Sequence, residues 1–365
     1  MSNRCLPLSA RSMAICILLM VFSAKEVSAQ RSVSKGTFAI QTVSRSITGT
    51  PLVWDDHKVF LLTAYGKFEQ IEFKDVKGFT KRSDLKFVFS KSSFEKKLKA
   101  EFGDRYQISI TQDYLVVHPL GQGNDWPNKI QETYNSFRAY FESRQIPIAK
   151  KTYPFVAIVF GSRSEFDQYA KKNNEDLARQ VVGYYSINSN RVMMYDRSAS
   201  REASRNFETI VHEIAHQSAF NCGIHSRFGD TPRWVAEGLG TMFEAKGVWN
   251  SLRYPQQSDR INKELYQHFK KNILNKRRSG WVGDLVIGNR MFDKKTEEAY
   301  SSAWALTFFL METNPHAYVS YMKRLNKLKP FQPYSPERRL QDFNTAFGST
   351  SFVEGTIVNF FRRFD

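Results

Sequence analysis

The sequence predicts an α+β protein: a small β-module, then a larger domain joining a mixed sheet to a mostly helical C-terminal half. Three observations carry this. Short apolar runs separated by turn residues crowd the stretch from Pro51 to Pro119. From Asn206 onward the apolar residues recur at helical spacing instead. The 365 residues, 41% of them hydrophobic, are enough for a large core and two or three domains.

Residues 1–29 read as a secretory leader. Arg4 and Arg11 form a basic n-region, Met13 to Phe22 an apolar h-region, and Val27-Ser28-Ala29 a small-residue cleavage site. The apolar run is short for a bilayer span, so cleavage before Gln30 is expected rather than an anchor. No later stretch is long and apolar enough to span. The expected location is therefore outside the cytoplasm: secreted, periplasmic or in the cell envelope. Cys5 and Cys16 leave with the leader, and Cys222 alone cannot form an internal disulfide. Three basic residues and one acidic one also leave, taking the formal charge from +17 to about +15. The remaining basic residues are dispersed, as in Lys96-Lys97 and Lys276-Arg277-Arg278, without a nucleic-acid motif. Such a surface favours anionic partners, an acidic cell-envelope polymer among them; nucleic acid is not expected for a secreted chain.

Residues 30–46 are Ser-rich and lack apolar periodicity, so they are expected as a flexible lead-in. Residues 47–90 hold the β-module, with strands in PLVW, KVFLLTA and FEQIEF around a turn at Gly66. It weakly resembles an SH3-like barrel. It is read either as a binding or targeting domain or as a unit packed on its neighbour with no partner of its own. The larger domain, residues 91–365, opens with a helix over Phe94 to Phe102, then a hairpin in YQISI and YLVVHP. Trp126 to Arg144 has helical periodicity, PFVAIVF is a buried strand, and Ser164 to Lys172 begins another helix. VVGYYSINSNRVMMYD reads as a hairpin turning at Asn188-Ser189-Asn190. Helices are expected at Ile261 to Ile273, Thr296 to Glu312, Ala317 to Leu328, and around the Gly348 break to Phe361.

The chemistry concentrates in His212-Glu213-Ile214-Ala215-His216. From Asn206 to Ala219, Phe207, Ile210, Val211 and Ile214 fall on one arc of a helical wheel, and the two histidines on the opposite arc. Histidines at i and i+4 share a face and are close enough to hold one metal, with the intervening Glu beside it. Thr231-Pro232 reads as an N-cap and first helical residue. The helix that follows carries Glu237, Thr241 and Glu244 on one face. A catalytic zinc takes three protein ligands and keeps one position open, and His212, His216 and Glu237 supply that set. Thr241 and Glu244 are placed to orient an imidazole or fix the helix, although for Glu244 a solvent-facing carboxylate is the preferred reading. Cys222 is a minor alternative ligand. Gly238 and Gly240 would let two helices approach closely.

HEIAH followed by WVAEGLGTMFE resembles the gluzincin class of zinc metallopeptidases, whose third ligand is a Glu on a second helix. Twenty residues separate His216 from Glu237, a spacing such enzymes use. A closer likeness, from about Lys91 to the C-terminus, is to secreted bacterial proteins of unknown function with a peptidase-MA-like domain. It includes FVAIVFGSRSEFDQYA and YSSAWALTFFL. The resemblance implies a zincin-like fold and hydrolysis of peptide or protein substrates, with Glu213 as general base. It implies that Val192, Met193, Met194 and Tyr195 form an edge strand pairing with extended substrate, unless they are an ordinary sheet strand. Tyr300, 63 residues after Glu237, would stabilise the oxyanion, or is simply one of 16 tyrosines. Two other readings stay open: a catalytically silent zinc-containing binding protein, and an amidase acting on cell-wall peptide.

Overall fold

The computed structural model describes residues 36–84, 90–123, 125–151, 153–173, 175, 177, 181–197 and 205–364. The expected leader, residues 1–29, lies outside them. Part of the expected lead-in is sheet: Thr37–Thr42 forms β1, paired with β2 (Ser46–Trp54) on one side and β5 (Val76–Ser83) on the other. A six-residue strand has a weak local signal, and two flanking ladders are what hold it. The first sheet runs β4 (Phe68–Glu72), β3 (Lys58–Thr63), β2, β1, β5, antiparallel throughout. Its inner face packs Ile40, Ile47, Val59, Leu61 and Ile71 into a small core of its own.

The second sheet contains β6 (Tyr106–Ile110), β7 (Tyr114–Pro119), β8 (Phe155–Phe160), β9 (Gly183–Ser186) and β10 (Arg191–Tyr195), in the order β6-β7-β8-β10-β9. β7, β8 and β10 are parallel neighbours, and the two outer strands pair antiparallel. All six residues of β8 are buried, as a strand covered on both faces requires. On one face lie α1 (Lys91–Phe102) and α3 (Arg163–Lys172), where Phe94, Leu98 and Phe166 meet Val156, Ile158 and Met193. On the other lie α2 (Asp125–Glu142) and α4 (Arg205–Asn221), where Tyr134, Ile210 and Ile214 meet Ala157, Val159 and Val192.

This order corrects the expected substrate strand. Val192 to Tyr195 belong to β10, which pairs with β8 and β9 and is interior. Val192, Met193 and Met194 are buried. The edge is β9. The hairpin itself was readable locally, but which arm joins β8 depends on a contact more than thirty residues away.

The C-terminal half is helical. After α5 (Arg233–Phe243) come α6 (Lys246–Trp249), α7 (Lys263–Phe269) running into a π-turn at Lys270–Leu274, α8 (Trp281–Ile287), α9 (Arg290–Lys294), α10 (Thr296–Thr313), α11 (Pro315–Leu325), α12 (Pro336–Phe347) and α13 (Thr350–Phe361). α10 is buried nearly all round, and α5 lies directly against it. A Cβ on Gly238 would stand 2.1 Å from Thr307 Oγ1 and 2.6 Å from the Ala303 carbonyl, so only glycine permits this crossing.

Candidate metal centre

α4 seats itself on the sheet through Ile210 and Ile214, both fully buried. It is pinned further by Gln217, whose amide donates to the Val156 carbonyl (3.2 Å) and the Asn190 carbonyl (2.8 Å). The opposite side of α4 then turns His212 and His216 towards α5. Gly240 makes room for this: a Cβ there would lie 2.8 Å from the His212 ring. Thus Gly240 serves the approach of α4 to α5, and Gly238 the approach of α5 to α10. Thr231 does not cap α5: its hydroxyl donates to the Ser226 carbonyl, and Pro232 occupies the N-cap position.

His212 Nε2 stands 2.9 Å from His216 Nε2 and 3.4 Å from Glu237 Oε2, and His216 Nε2 is 3.6 Å from the same oxygen. One ligand atom from each residue lies within 4.8 Å of the others, close enough to hold a metal ion. His212 Nδ1 is 2.8 Å from Glu244 Oε1. An ionised carboxylate only accepts, so Nδ1 carries a proton and Nε2 is the nitrogen left to face the cluster and ligate a metal. Glu244 Oε2 accepts in turn from Asn262 Nδ2 at 2.7 Å. Glu244 is therefore an orienting group rather than a solvent-facing carboxylate. Thr241 is not one: its buried hydroxyl donates back to the carbonyls of Glu237 (2.7 Å) and Gly238 (3.2 Å). A threonine inside a helix bonds its own preceding turn whenever no closer acceptor is offered.

The electrostatics fit a cation. Burial alone would neutralise both Glu237 and His212. The two imidazoles nevertheless hold the Glu237 carboxyl well below the usual carboxylate range. Glu237 and Glu244 likewise outweigh burial and hold His212 well above an ordinary imidazole. Two imidazole nitrogens and a carboxylate oxygen converging in this way are the donor set that zinc accepts. Glu213 is buried beside them, where the Tyr185 backbone N–H of β9 favours its ionised form. Burial pushes the Glu213 carboxyl up.

Tyr300, at the start of α10, comes to the same place. Burial raises the pKa of its phenol, the Glu237 and Glu213 carboxylates push the same way, and the Arg233 guanidinium opposes them. Phe292 packs edge-on against the Tyr300 ring at 5.5 Å. Arg233 covers Phe292 at 4.6 Å and reaches to 3.9 Å from Glu237. Cys222 belongs elsewhere, buried in the core behind α4 with its thiol 3.8 Å from the Tyr134 hydroxyl. Sequence reasoning passed over His225. It is buried, neither ring nitrogen has a partner among the described residues, and it feels His216 and Glu237. Nine residues past His216 in an irregular turn, it has no periodic position that would have marked it.

Residues 206–332 match the family model described as "Protein of unknown function (DUF1570)". No curated protein matches this chain. Among solved structures, the chain is similar to a mutant of an M1 zinc metallopeptidase from Deinococcus radiodurans, at 14% identity and a TM-score of 0.38, over 70% of this chain and 51% of that one. The structure of the same enzyme without that substitution aligns at 14% identity and a TM-score of 0.36, over 69% and 50%. The chain thus spans about half the length of the structures it matches.

Proposed function

We propose that this chain is an exported, zinc-dependent peptidase of zincin type, hydrolysing peptide bonds at the His212–His216–Glu237 centre. The observation that carries the reading is the pairing of a three-donor cluster with a carboxylate that is not a donor. Glu213 sits on α4 between the two histidines in sequence and is buried beside them. A purely structural metal has no use for such a base.

Zinc held there would act as a Lewis acid on the scissile carbonyl and acidify water at its open position. Glu213 takes the proton of the attacking water and returns it to the leaving amine. The raised pKa of a buried carboxyl suits both halves of that task. Tyr300, its phenol kept protonated by burial and the nearby carboxylates, would offer its O–H to the carbonyl oxygen as negative charge develops there. β9, as the edge of the sheet and the neighbour of Glu213, is the strand whose free main-chain groups would pair with an extended peptide. The basic surface would favour acidic substrates or envelope polymers by long-range attraction.

The test pairs metal analysis of the purified mature protein with cleavage of a mixed peptide library, with and without chelator. Stoichiometric zinc and chelator-sensitive cleavage are expected. Glu213→Gln should then lose hydrolysis by about a thousandfold or more while keeping its zinc. Zinc without cleavage of any peptide would turn the reading towards a binding protein. Cleavage confined to cell-wall peptide would make the enzyme an amidase. A chain that takes up no zinc would overturn the centre altogether.

A further inference from the structure

The N-terminal sheet meets the larger domain at several places: Tyr65 packs on Phe94 and Lys97 of α1, Phe60 on Phe331, and the turn between β3 and β4 on the turn of the β9–β10 hairpin. The Phe68 amide of β4 donates to the Asn188 carbonyl at 3.2 Å, and the Asn190 side chain donates to the Gly66 carbonyl at 3.3 Å. Beside these bonds stands Arg227, from the loop between α4 and α5. Its guanidinium lies 4.0 Å above the Phe68 ring. It donates to the Ile187 carbonyl (2.5 Å), the Tyr185 hydroxyl (2.6 Å), Asn190 Oδ1 (3.0 Å) and Asn221 Oδ1 (3.2 Å). Asn221 ends α4 and donates to Asn190 Oδ1 at 2.8 Å. The neighbouring Phe228 packs against Phe60 and Phe68 of the sheet. One cation therefore ties together the N-terminal sheet, both ends of the β9–β10 turn and the last residue of the helix that bears the histidines. β9 has only four residues and one strand neighbour; Tyr184 against Phe166, Tyr185 against Phe220 and the Ser186–Glu175 hydrogen bond (2.6 Å) restrain it as well.

We infer that the N-terminal sheet is a working part of the active site: Phe68 and Arg227 hold β9 in register, and β9 holds the Glu213 carboxylate through the Tyr185 amide. The inference rests on the peptidase reading for its catalytic consequence. Arg227 and Phe68 touch neither substrate nor the reacting atoms; they are positioning residues. A planar guanidinium bonds several acceptors at once while stacking on an aromatic ring, which a lysine cannot reproduce. The sheet's exposed faces need bind nothing for this role.

The test uses the full mature chain with Arg227→Gln, Arg227→Lys and Phe68→Ala, followed by zinc content, peptide kinetics and amide hydrogen exchange. In Arg227→Gln, kcat is expected to fall about tenfold at unchanged zinc stoichiometry, because the general base is displaced rather than removed. Arg227→Lys, which keeps a cation and a donor, should recover part of that loss. In both Arg227→Gln and Phe68→Ala the Tyr185 amide should exchange about tenfold faster, while Leu61 in the sheet core and Phe308 in α10 stay protected. Unchanged exchange at Tyr185 overturns the inference. So does a loss of kcat that only tracks loss of zinc, or faster exchange at all three places, since either marks general destabilisation. If the unaltered protein holds zinc but cleaves nothing, the peptidase reading fails, and the Tyr185 exchange still decides whether the sheet holds β9.

Discussion

At the scale of single residues, the centre depends on groups that do not touch the metal position. Glu244 fixes the tautomer of His212, and Asn262 fixes Glu244. Replacing Glu244 with Ala should weaken zinc binding by about ten- to a hundredfold, measured by competition with a chromophoric chelator. An unchanged affinity would mean that the imidazole is oriented by packing alone. His225 makes a different prediction. In an unfolded chain its imidazole takes a proton near 6.5, whereas burial keeps it neutral down to about 3 in the fold. Between those values the unfolded chain binds more protons, so His225's contribution is complete above 6.5 and is lost as pH falls towards 3. From about pH 7 to pH 5 the loss should be about 2 kcal/mol, and His225→Leu should remove that part of the slope in denaturant titrations. A variant with the same acid slope would show that His225 is hydrated or paired in solution.

At the scale of elements, α5 has two duties on two sides. Its Gly238 face meets α10, and its Gly240 face meets the His212 ring. An alanine at each position should therefore fail differently. Gly238→Ala drives a methyl into Thr307 and the Ala303 carbonyl and should cost about 3 kcal/mol of stability. Gly240→Ala meets a side chain that can swing, so the loss should appear first as weaker zinc binding. Measuring unfolding and zinc affinity for both variants separates the cases, and equal losses of both kinds would contradict the division. The second sheet shows the same economy. Alternate residues of β8 and β10 serve opposite layers, so Met193 faces α1 and α3 while Val192 and Met194 face α2 and α4.

For the whole molecule, the candidate metal centre joins two bodies of structure. α4 belongs to the layered sheet domain and α5 to the helical half, and the ligand set draws on both. A ligand that binds only the folded chain stabilises it by mass action. Free zinc at a hundred times its Kd should contribute about 2.7 kcal/mol, read as a rise in Tm that chelator reverses. No rise in Tm at saturating zinc would contradict a centre shared by the two halves. Among the described residues no helix is long and apolar enough to cross a membrane.

Local patterns by themselves determined the α+β architecture, the position of most helices, and the residues His212, Glu213, His216 and Glu237. The reason is physical: helical spacing and paired apolar runs are properties of neighbours in the chain, and a metal-binding pair at i and i+4 is written within one turn. Tertiary structure alone decided the rest. β1 is a strand because two others flank it, β10 is interior because β8 pairs with it, and Glu244 rather than Thr241 reaches His212 because α5 crosses α4 at one particular angle. His225 and Arg227, in the irregular loop between those helices, acquire their places only when distant segments close around them. No period in the sequence announces a contact of that kind.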